Sequence, residues 1–117
     1  MTSVLVIDDD PGFRALAARM LGELGLEVVG EADSPQSGRA AAAKLRPEAA
    51  LVDVMLAEDD GVALAHELAQ LPWRPRVLLT STSPDAVRED QISDGVVGFV
   101  PKEELPGAPL DELLGAR

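Results

Sequence analysis

Several side chains that could do chemistry follow short apolar runs of the sequence. They are the acids Asp8, Asp9 and Asp10, a single acid at Asp53, the hydroxyls of Thr80 and Ser81, and the amine of Lys102. Carboxylates brought close together need a compensating cation, and a hard divalent ion with oxygen ligands is the natural one. A carboxylate nucleophile, a metal, a hydroxyl and an ammonium are the parts that phosphoryl transfer needs, because its catalysis is mostly positioning and charge neutralisation.

The apolar runs that precede these residues recur five times and alternate with helix-like segments. Each run is short and nearly continuously apolar, as in strands buried on both faces of a parallel sheet. The predicted strands are Val4–Ile7, Leu26–Gly30, Ala49–Val54, Val77–Thr80 and Val96–Val100. Alternating strands and helices require right-handed crossovers. We therefore predict a doubly wound, flavodoxin-like α/β fold with five parallel strands in the order 2-1-3-4-5 and helices on both faces.

Five helices are predicted between and after the strands. They span Phe13 to Leu24, Pro35 to the residue before Pro47, Leu64 to Leu71, Asp85 to Asp94, and Leu110 to Leu114. Gly25 is typical of a helix C-terminus, and the pair Ser34-Pro35 is typical of an N-cap followed by the first helical residue. The fourth helix is polar and weakly patterned.

The predicted strand order makes strands one and three central neighbours. In open parallel sheets, ligands bind beyond the carboxyl ends of the strands, where the strand order reverses. We therefore expect Asp8, Asp9 and Asp53 to converge on a cation, with Lys102 adding a second positive charge. Asp53 also interrupts an apolar strand, where an unpaired carboxylate is costly.

Composition excludes several other classes of protein. The 117 residues carry a net charge of −11 and no cysteine, with 46% hydrophobic residues, so we expect one folded domain spanning residues 1–117. The negative charge disfavours direct nucleic-acid binding by this domain, and no apolar run approaches the roughly 20 residues of a membrane span. We expect a cytoplasmic protein.

The motifs together resemble the receiver domains of two-component response regulators, over essentially the whole chain. The resemblance rests on the segments Val4–Pro11, Leu51–Leu56 with Asp60-Gly61, Val77–Ser81 and Gly98–Lys102, and on the spacing between Thr80 and Lys102. Any one motif is weak, but the ordered set with correct spacing is specific.

The resemblance implies a role for each site residue. Asp53 would be the phosphoacceptor, and Mg²⁺ would be held by Asp9 and Asp53 directly, by Asp8 largely through water, and by the backbone carbonyl of Met55. Thr80 would hydrogen-bond a phosphoryl oxygen, Lys102 would pair with the phosphoryl group, and Thr80 with Phe99 would form the switch. The domain would then be a signalling switch that catalyses its own phosphorylation and dephosphorylation, without being an enzyme that acts on another substrate.

The resemblance also implies partners. A sensor histidine kinase or a histidine phosphotransfer protein would donate the phosphoryl group. A downstream protein target, or a second copy in a homodimer, would bind the face formed by the fourth helix, fifth strand and fifth helix.

Two positions depart from the family pattern. Ala57 stands where proline is usual, and Glu103 follows the lysine where proline is usual, while Pro101 precedes it. The first departure affects the rigidity of a loop. The second removes the usual cis Lys-Pro bond and predicts a different entry to the last helix.

Alternative readings of the same residues remain open from sequence alone. The segment Asp8-Asp9-Asp10 could be the nucleophile motif of a haloacid-dehalogenase-like phosphatase, with Thr80 and Lys102 as its later motifs. The chain could also be a receiver-like scaffold that is never phosphorylated. A flavodoxin fits the fold but lacks the expected phosphate loops and flanking aromatics.

Overall fold

Strands and helices alternate along the chain in the computed structural model, which describes residues 1–56, 61–92 and 95–115. The strands are β1 (Ser3–Ile7), β2 (Glu27–Ala32), β3 (Ala49–Asp53), β4 (Arg76–Ser81) and β5 (Val96–Pro101). The α-helices are α1 (Pro11–Glu23), α2 (Pro35–Leu45), α3 (Gly61–Ala69) and α4 (Leu110–Gly115). Every predicted strand is confirmed to within two residues at each end.

The five strands form one parallel sheet in the order β2-β1-β3-β4-β5, as predicted. β1 and β3 are neighbours, with Ile7 opposite Val52, so the residues that follow these two strands lie side by side. β3 and β4 are also paired, and Asp53 lies opposite Thr80. The register therefore places the C-terminal ends of three neighbouring strands, β1, β3 and β4, side by side at one edge of the sheet.

Two apolar clusters cover the two faces of the sheet. Val4 and Val6 of β1 pack with buried residues of α1 and α4, whereas Leu5 and Ile7 pack on the opposite side with buried residues of α2 and α3. This two-residue alternation is the geometry of a strand whose faces are both buried. It confirms the predicted doubly wound arrangement.

Local sequence explains where the first two helices begin and end. Asp10 is the N-cap of α1, and its Oδ1 accepts a hydrogen bond of 2.9 Å from the backbone N–H of Gly12. Gly25 follows the end of α1 with a φ of +88°, a conformation that glycine adopts without the steric cost of a Cβ. The hydroxyl of Ser34 caps α2 by accepting from the N–H of Ser37.

The predicted fourth helix from Asp85 to Asp94 is wrong. Between β4 and residue 92 the chain forms turns and a 3₁₀ helix of three residues, Glu89–Gln91, while Asp94 itself lies outside the described residues. The apolar side chains of this segment that pack against the core, Ala86 and Val87, are adjacent in sequence and do not form a helical stripe. A short helix without an apolar face is not stable in water.

A turn of 3₁₀ helix lies between β5 and α4. A 3₁₀ helix spans Lys102–Gly107 and is followed by α4, which corresponds to the predicted fifth helix. Leu105 in the 3₁₀ helix and Leu110 and Leu114 in α4 are buried against the sheet. These leucines anchor the segment that follows Lys102 to the sheet.

Trp73 is the single tryptophan of the chain. It lies at the edge of the sheet where the strands begin. Its Nε1–H donates a 2.8 Å hydrogen bond to the carbonyl of Pro47, and the guanidinium of Arg46 lies 4.2 Å from the ring centroid.

None of the helices in the described residues has the length and apolar character that a membrane span requires.

Candidate functional site

Three carboxylates meet where β1 and β3 end. One ligand oxygen from each of Asp8, Asp9 and Asp53 lies within 4.8 Å of the others. Asp8 and Asp53 are buried, at 1% and 6% exposure, whereas Asp9 is exposed. The convergence predicted from strand order is therefore present, and two of the three charges are largely removed from water.

Lys102 brings the compensating charge from the end of β5. Its Nζ lies 2.7 Å from Oδ2 of Asp8 and 3.6 Å from Oδ2 of Asp53, with 15% of its side chain exposed. The ammonium is therefore closer to Asp8 than to Asp53, the last residue of β3. The ring centroid of Phe13 lies 4.1 Å from the same Nζ.

The surroundings of Asp53 shift the pKa of its carboxyl group upward. Burial is the main cause that raises the pKa of its carboxyl group, and the charges of Asp8 and Asp9 raise it further. The N–H of Met55, which donates to Oδ1 at 3.0 Å, and the ammonium of Lys102 lower the pKa and oppose this shift. The net upward shift shows that the local positive charge does not offset burial and repulsion.

The donor set fits a hard divalent cation. Oδ2 of Asp8 is buried and, although Lys102 lies at ion-pair distance, this oxygen accepts no hydrogen bond of good geometry. Such an oxygen beside two further carboxylates is a suitable ligand for Mg²⁺, which prefers oxygen donors. The other oxygen of Asp8 is held by the N–H of Asp10 at 2.9 Å, which fixes the side chain.

Arg14 also supports this acidic segment, a role that sequence reasoning missed. Its Nη1 donates a 2.7 Å hydrogen bond to the backbone carbonyl of Asp8, while its Nε pairs with Glu31 at 3.0 Å. Arg14 lies one turn into α1. Its positive charge, close in sequence to an acidic run, is the feature that could have indicated this contact. The contact braces the backbone from which Asp8 and Asp9 project.

Thr80 lies opposite Asp53 in the sheet, whereas Phe99 lies on the neighbouring strand β5, opposite Leu79. The buried hydroxyl of Thr80 donates to the carbonyl of Val100 at 2.7 Å, so it is engaged with β5. Phe99 is half-buried and packs against the core on one side of the sheet. It also lines an open cleft of about 560 Å³ that Glu103, Glu104 and Pro109 help to form.

The loop after β3 is closed by a glycine whose structural role the sequence did not reveal. The N–H of Gly61 donates to the carbonyl of Val54 at 2.9 Å, at the point where α3 begins. A Cβ at this position would overlap the backbone carbonyl oxygen of Asp53 and lie 2.8 Å from Cα of Val54. The Met55 side chain is 60% exposed, and Ala57 to Asp60 lie outside the described residues.

Asp10 takes no part in the carboxylate cluster. Its side chain caps α1, as described above, and its position is exposed. The second acid that a haloacid-dehalogenase-like motif requires is therefore committed to a helix terminus. The geometry disfavours that alternative.

Comparison with known proteins agrees with this arrangement. Residues 4–112 match the response regulator receiver domain family. The chain is 36% identical over 101 residues to a protein-glutamate methylesterase/protein-glutamine glutaminase of Alkalilimnicola ehrlichii, covering 84% of this chain and 26% of that protein. It is 33% identical over 105 residues to the DNA-binding transcriptional activator DevR/DosR of Mycobacterium tuberculosis, covering 88% of this chain and 48% of that protein.

A solved structure resembles the fold closely. The crystal structure of a response regulator protein from Burkholderia pseudomallei, with a phosphorylated aspartic acid, calcium ion and citrate, superposes with a TM-score of 0.82 and 26% identity, covering 97% of this chain and 66% of that one. This chain spans at most about half the length of the two relatives named above, at 26% and 48%. The match over nearly all of its length shows that the chain belongs to the response regulator receiver domain family.

Proposed function

We propose that this chain, as a receiver domain over residues 1–117, accepts a phosphoryl group on Asp53. The observation that carries the proposal is the cluster of Asp8, Asp9 and Asp53 within 4.8 Å, with the ammonium of Lys102 at 2.7 and 3.6 Å. The phosphorylated aspartic acid in the related Burkholderia structure supports the same chemistry by analogy. The donor would be the phosphohistidine of a sensor histidine kinase or of a histidine phosphotransfer protein.

Mg²⁺ is the proposed cofactor of this reaction. The carboxylates of Asp8, Asp9 and Asp53 would hold it, with the backbone carbonyl of Met55 as a further ligand. When bound, the ion supplies the positive charge that a transferring phosphoryl group and three carboxylates together require.

The proposed reaction forms an acyl phosphate. A carboxylate oxygen of Asp53 forms a bond to phosphorus while the phosphorus–nitrogen bond of the donor breaks, and the electron pair remains on the imidazole nitrogen. An ionised carboxylate needs no general base. Lys102 would supply positive charge to the phosphoryl oxygens, and hydrolysis of the acyl phosphate would reset the domain.

The switch is proposed to use Thr80 and Phe99. The hydroxyl of Thr80 would exchange its hydrogen bond with Val100 for one with a phosphoryl oxygen, and Phe99 would turn into the vacated space. This repacking would bias an existing two-state equilibrium of the surface formed by residues 83–92, β5 and α4. A downstream protein, or a second copy of the chain, would read that surface.

The experiment is phosphorylation by acetyl phosphate with Mg²⁺, measured as a mass increase that hydroxylamine removes. We expect the wild-type domain to be labelled and Asp53→Asn to remain unlabelled. Asp10→Asn is the matched control, because it also removes one carboxylate charge while asparagine still caps α1. Labelling of Asp53→Asn at the wild-type level would refute the acceptor assignment.

The same assay tests the alternative of a receiver-like scaffold. A scaffold would take up no phosphate even at saturating acetyl phosphate and Mg²⁺. Chelation of Mg²⁺ should abolish labelling of the wild-type domain if the metal is required.

A further inference from the structure

Phe13 lies where its aromatic ring meets the functional lysine. It is the third residue of α1 and is 9% exposed, with its ring centroid 4.1 Å from Nζ of Lys102. The face of an aromatic ring attracts a cation, and the attraction is larger when both groups are partly removed from water. The contact therefore links α1 to the end of β5 through the site.

The surroundings of Lys102 explain what this ring adds. The ammonium has three N–H donors, and two carboxylates, those of Asp8 and Asp53, lie at 2.7 and 3.6 Å. The ring of Phe13 provides a further attractive surface. An ammonium on a flexible stem of four methylene groups otherwise has many alternative positions in water.

Burial alone does not account for an aromatic residue at this position. Phe13 belongs to the apolar cluster that joins α1 to the sheet, together with Ala17 and Leu21. A leucine at position 13 would also supply an apolar side chain to that cluster, but it has no electron-rich face to attract the ammonium.

We propose that Phe13 is a positioning residue for Lys102. Its ring holds the ammonium between Asp8 and Asp53, so that the charge remains beside the acceptor when a metal ion takes the oxygen of Asp8 that now pairs with the lysine. The proposal rests on the proposed function of Asp53 as phosphoacceptor, and it assigns Phe13 a role that is not merely packing.

The principal test is Phe13→Leu, with Leu21→Val as the matched control. Leu21 is fully buried on the same face of α1 but belongs to the last turns of the helix, far along the chain from the site. Three quantities are measured in each variant: the NMR shifts of the Lys102 ε-protons, the dissociation constant for Mg²⁺, and the rate of phosphorylation by acetyl phosphate.

We expect the three quantities to change in a pattern that general destabilisation does not produce. The upfield ring-current shift of the Lys102 ε-protons should disappear in Phe13→Leu and persist in Leu21→Val. The phosphorylation rate should fall about tenfold in Phe13→Leu, equivalent to about 1.4 kcal/mol. Mg²⁺ should bind equally well or up to about threefold tighter, because a loosely held lysine competes less for Asp8.

A double-mutant cycle separates positioning from packing. In a Lys102→Met background, Phe13→Leu should cause no further loss of rate, because the residue it acts through is absent. An equal loss in both backgrounds would overturn the proposal, as would an unchanged rate in Phe13→Leu or a parallel weakening of Mg²⁺ binding. If the wild-type domain takes up no phosphate, the acceptor function fails, whereas the NMR and Mg²⁺ measurements still decide whether Phe13 holds Lys102.

Discussion

Replacement of Asp53 by asparagine is expected to stabilise the metal-free domain at neutral pH. The change preserves the size of the side chain and an oxygen that can accept the hydrogen bond from the N–H of Met55, which is 3.0 Å from Oδ1 in the wild type. It removes a buried charge whose pKa is raised chiefly by burial. The folded state should therefore lose an unfavourable contribution that the unfolded state does not have.

The magnitude follows from the distances in the site. With an effective dielectric constant of about 20, repulsion from Asp8 at 4.8 Å or less is at least roughly 3.5 kcal/mol, and attraction to Lys102 at 3.6 Å is roughly 4.6 kcal/mol. Repulsion from Asp9 adds to that from Asp8, so the charges leave no net attraction, and desolvation of the buried carboxylate is the largest contribution. We expect the free energy of unfolding to rise by about 1–3 kcal/mol, which is roughly 4 °C in Tm per kcal/mol.

The difference between the two proteins should depend on pH in a defined direction. Because the folded-state pKa of Asp53 is raised, the folded protein binds this proton more tightly than the unfolded chain does. The cost is fully present above the raised pKa, and it disappears as pH falls through that value and past the ordinary pKa of aspartate, about 3.9. The advantage of Asp53→Asn should therefore be largest near pH 7 to 8 and shrink toward zero in acid.

Thermal or urea unfolding with a chelator present measures this difference, and addition of Mg²⁺ provides the internal contrast. At ten times its dissociation constant, Mg²⁺ should stabilise the wild-type domain by about 1.4 kcal/mol and the variant by much less. Asp10→Asn again serves as control, since its carboxylate lies outside the cluster. If Asp53→Asn were less stable than wild type at pH 7.5 without metal, the reasoning that burial outweighs the lysine would be wrong.

Three further predictions concern the loop after β3 and one helix cap. Gly61→Ala should lower the free energy of unfolding by at least about 2 kcal/mol, measured by urea titration, because the new Cβ overlaps the backbone carbonyl of Asp53; an unchanged urea midpoint would contradict the close approach. Met55→Asn should accelerate loss of the aspartyl phosphate several-fold in a decay assay, because a bulky apolar side chain beside the acceptor is replaced by one that can orient water; an unchanged decay rate would exclude shielding. Ser34→Ala should cost about 1 kcal/mol in thermal unfolding through loss of the α2 cap, whereas Ser34→Asp should retain stability.

The sheet was predictable because its signals are local and repeated. Each strand is marked by its own apolar run, and the topological rules for alternating strands and helices leave few arrangements. The strand order then determined which distant acids converge, so Asp8 and Asp53 could be brought together from sequence alone. Asp8 and Asp53 lie at the same edge of the sheet because β1 and β3 are neighbours, and this follows from the strand order alone.

Other features could not be predicted from the sequence because they depend on tertiary contacts. The polar segment after β4 contains residues compatible with a helix, but helix formation requires an apolar face to bury, and the two residues that pack against the core, Ala86 and Val87, are neighbours in sequence. The sequence predicts Phe13 only as the first residue of a helix, and the fold is needed to show that Lys102 reaches its ring. The requirement for glycine at position 61 likewise arises from the path of the loop, which brings this residue against the backbone of Asp53 and Val54.

The location of Trp73 determines what intrinsic fluorescence can report. The indole lies next to residues that precede β1, β3 and β4, whereas Asp53 ends β3, and five residues of extended chain separate the two edges by roughly 16 Å. Its emission should therefore follow unfolding of the whole domain while remaining nearly silent to events at the acceptor. Stability and phosphorylation can thus be monitored as separate optical signals if a fluorophore that emits at a different wavelength from tryptophan is attached near Asp53.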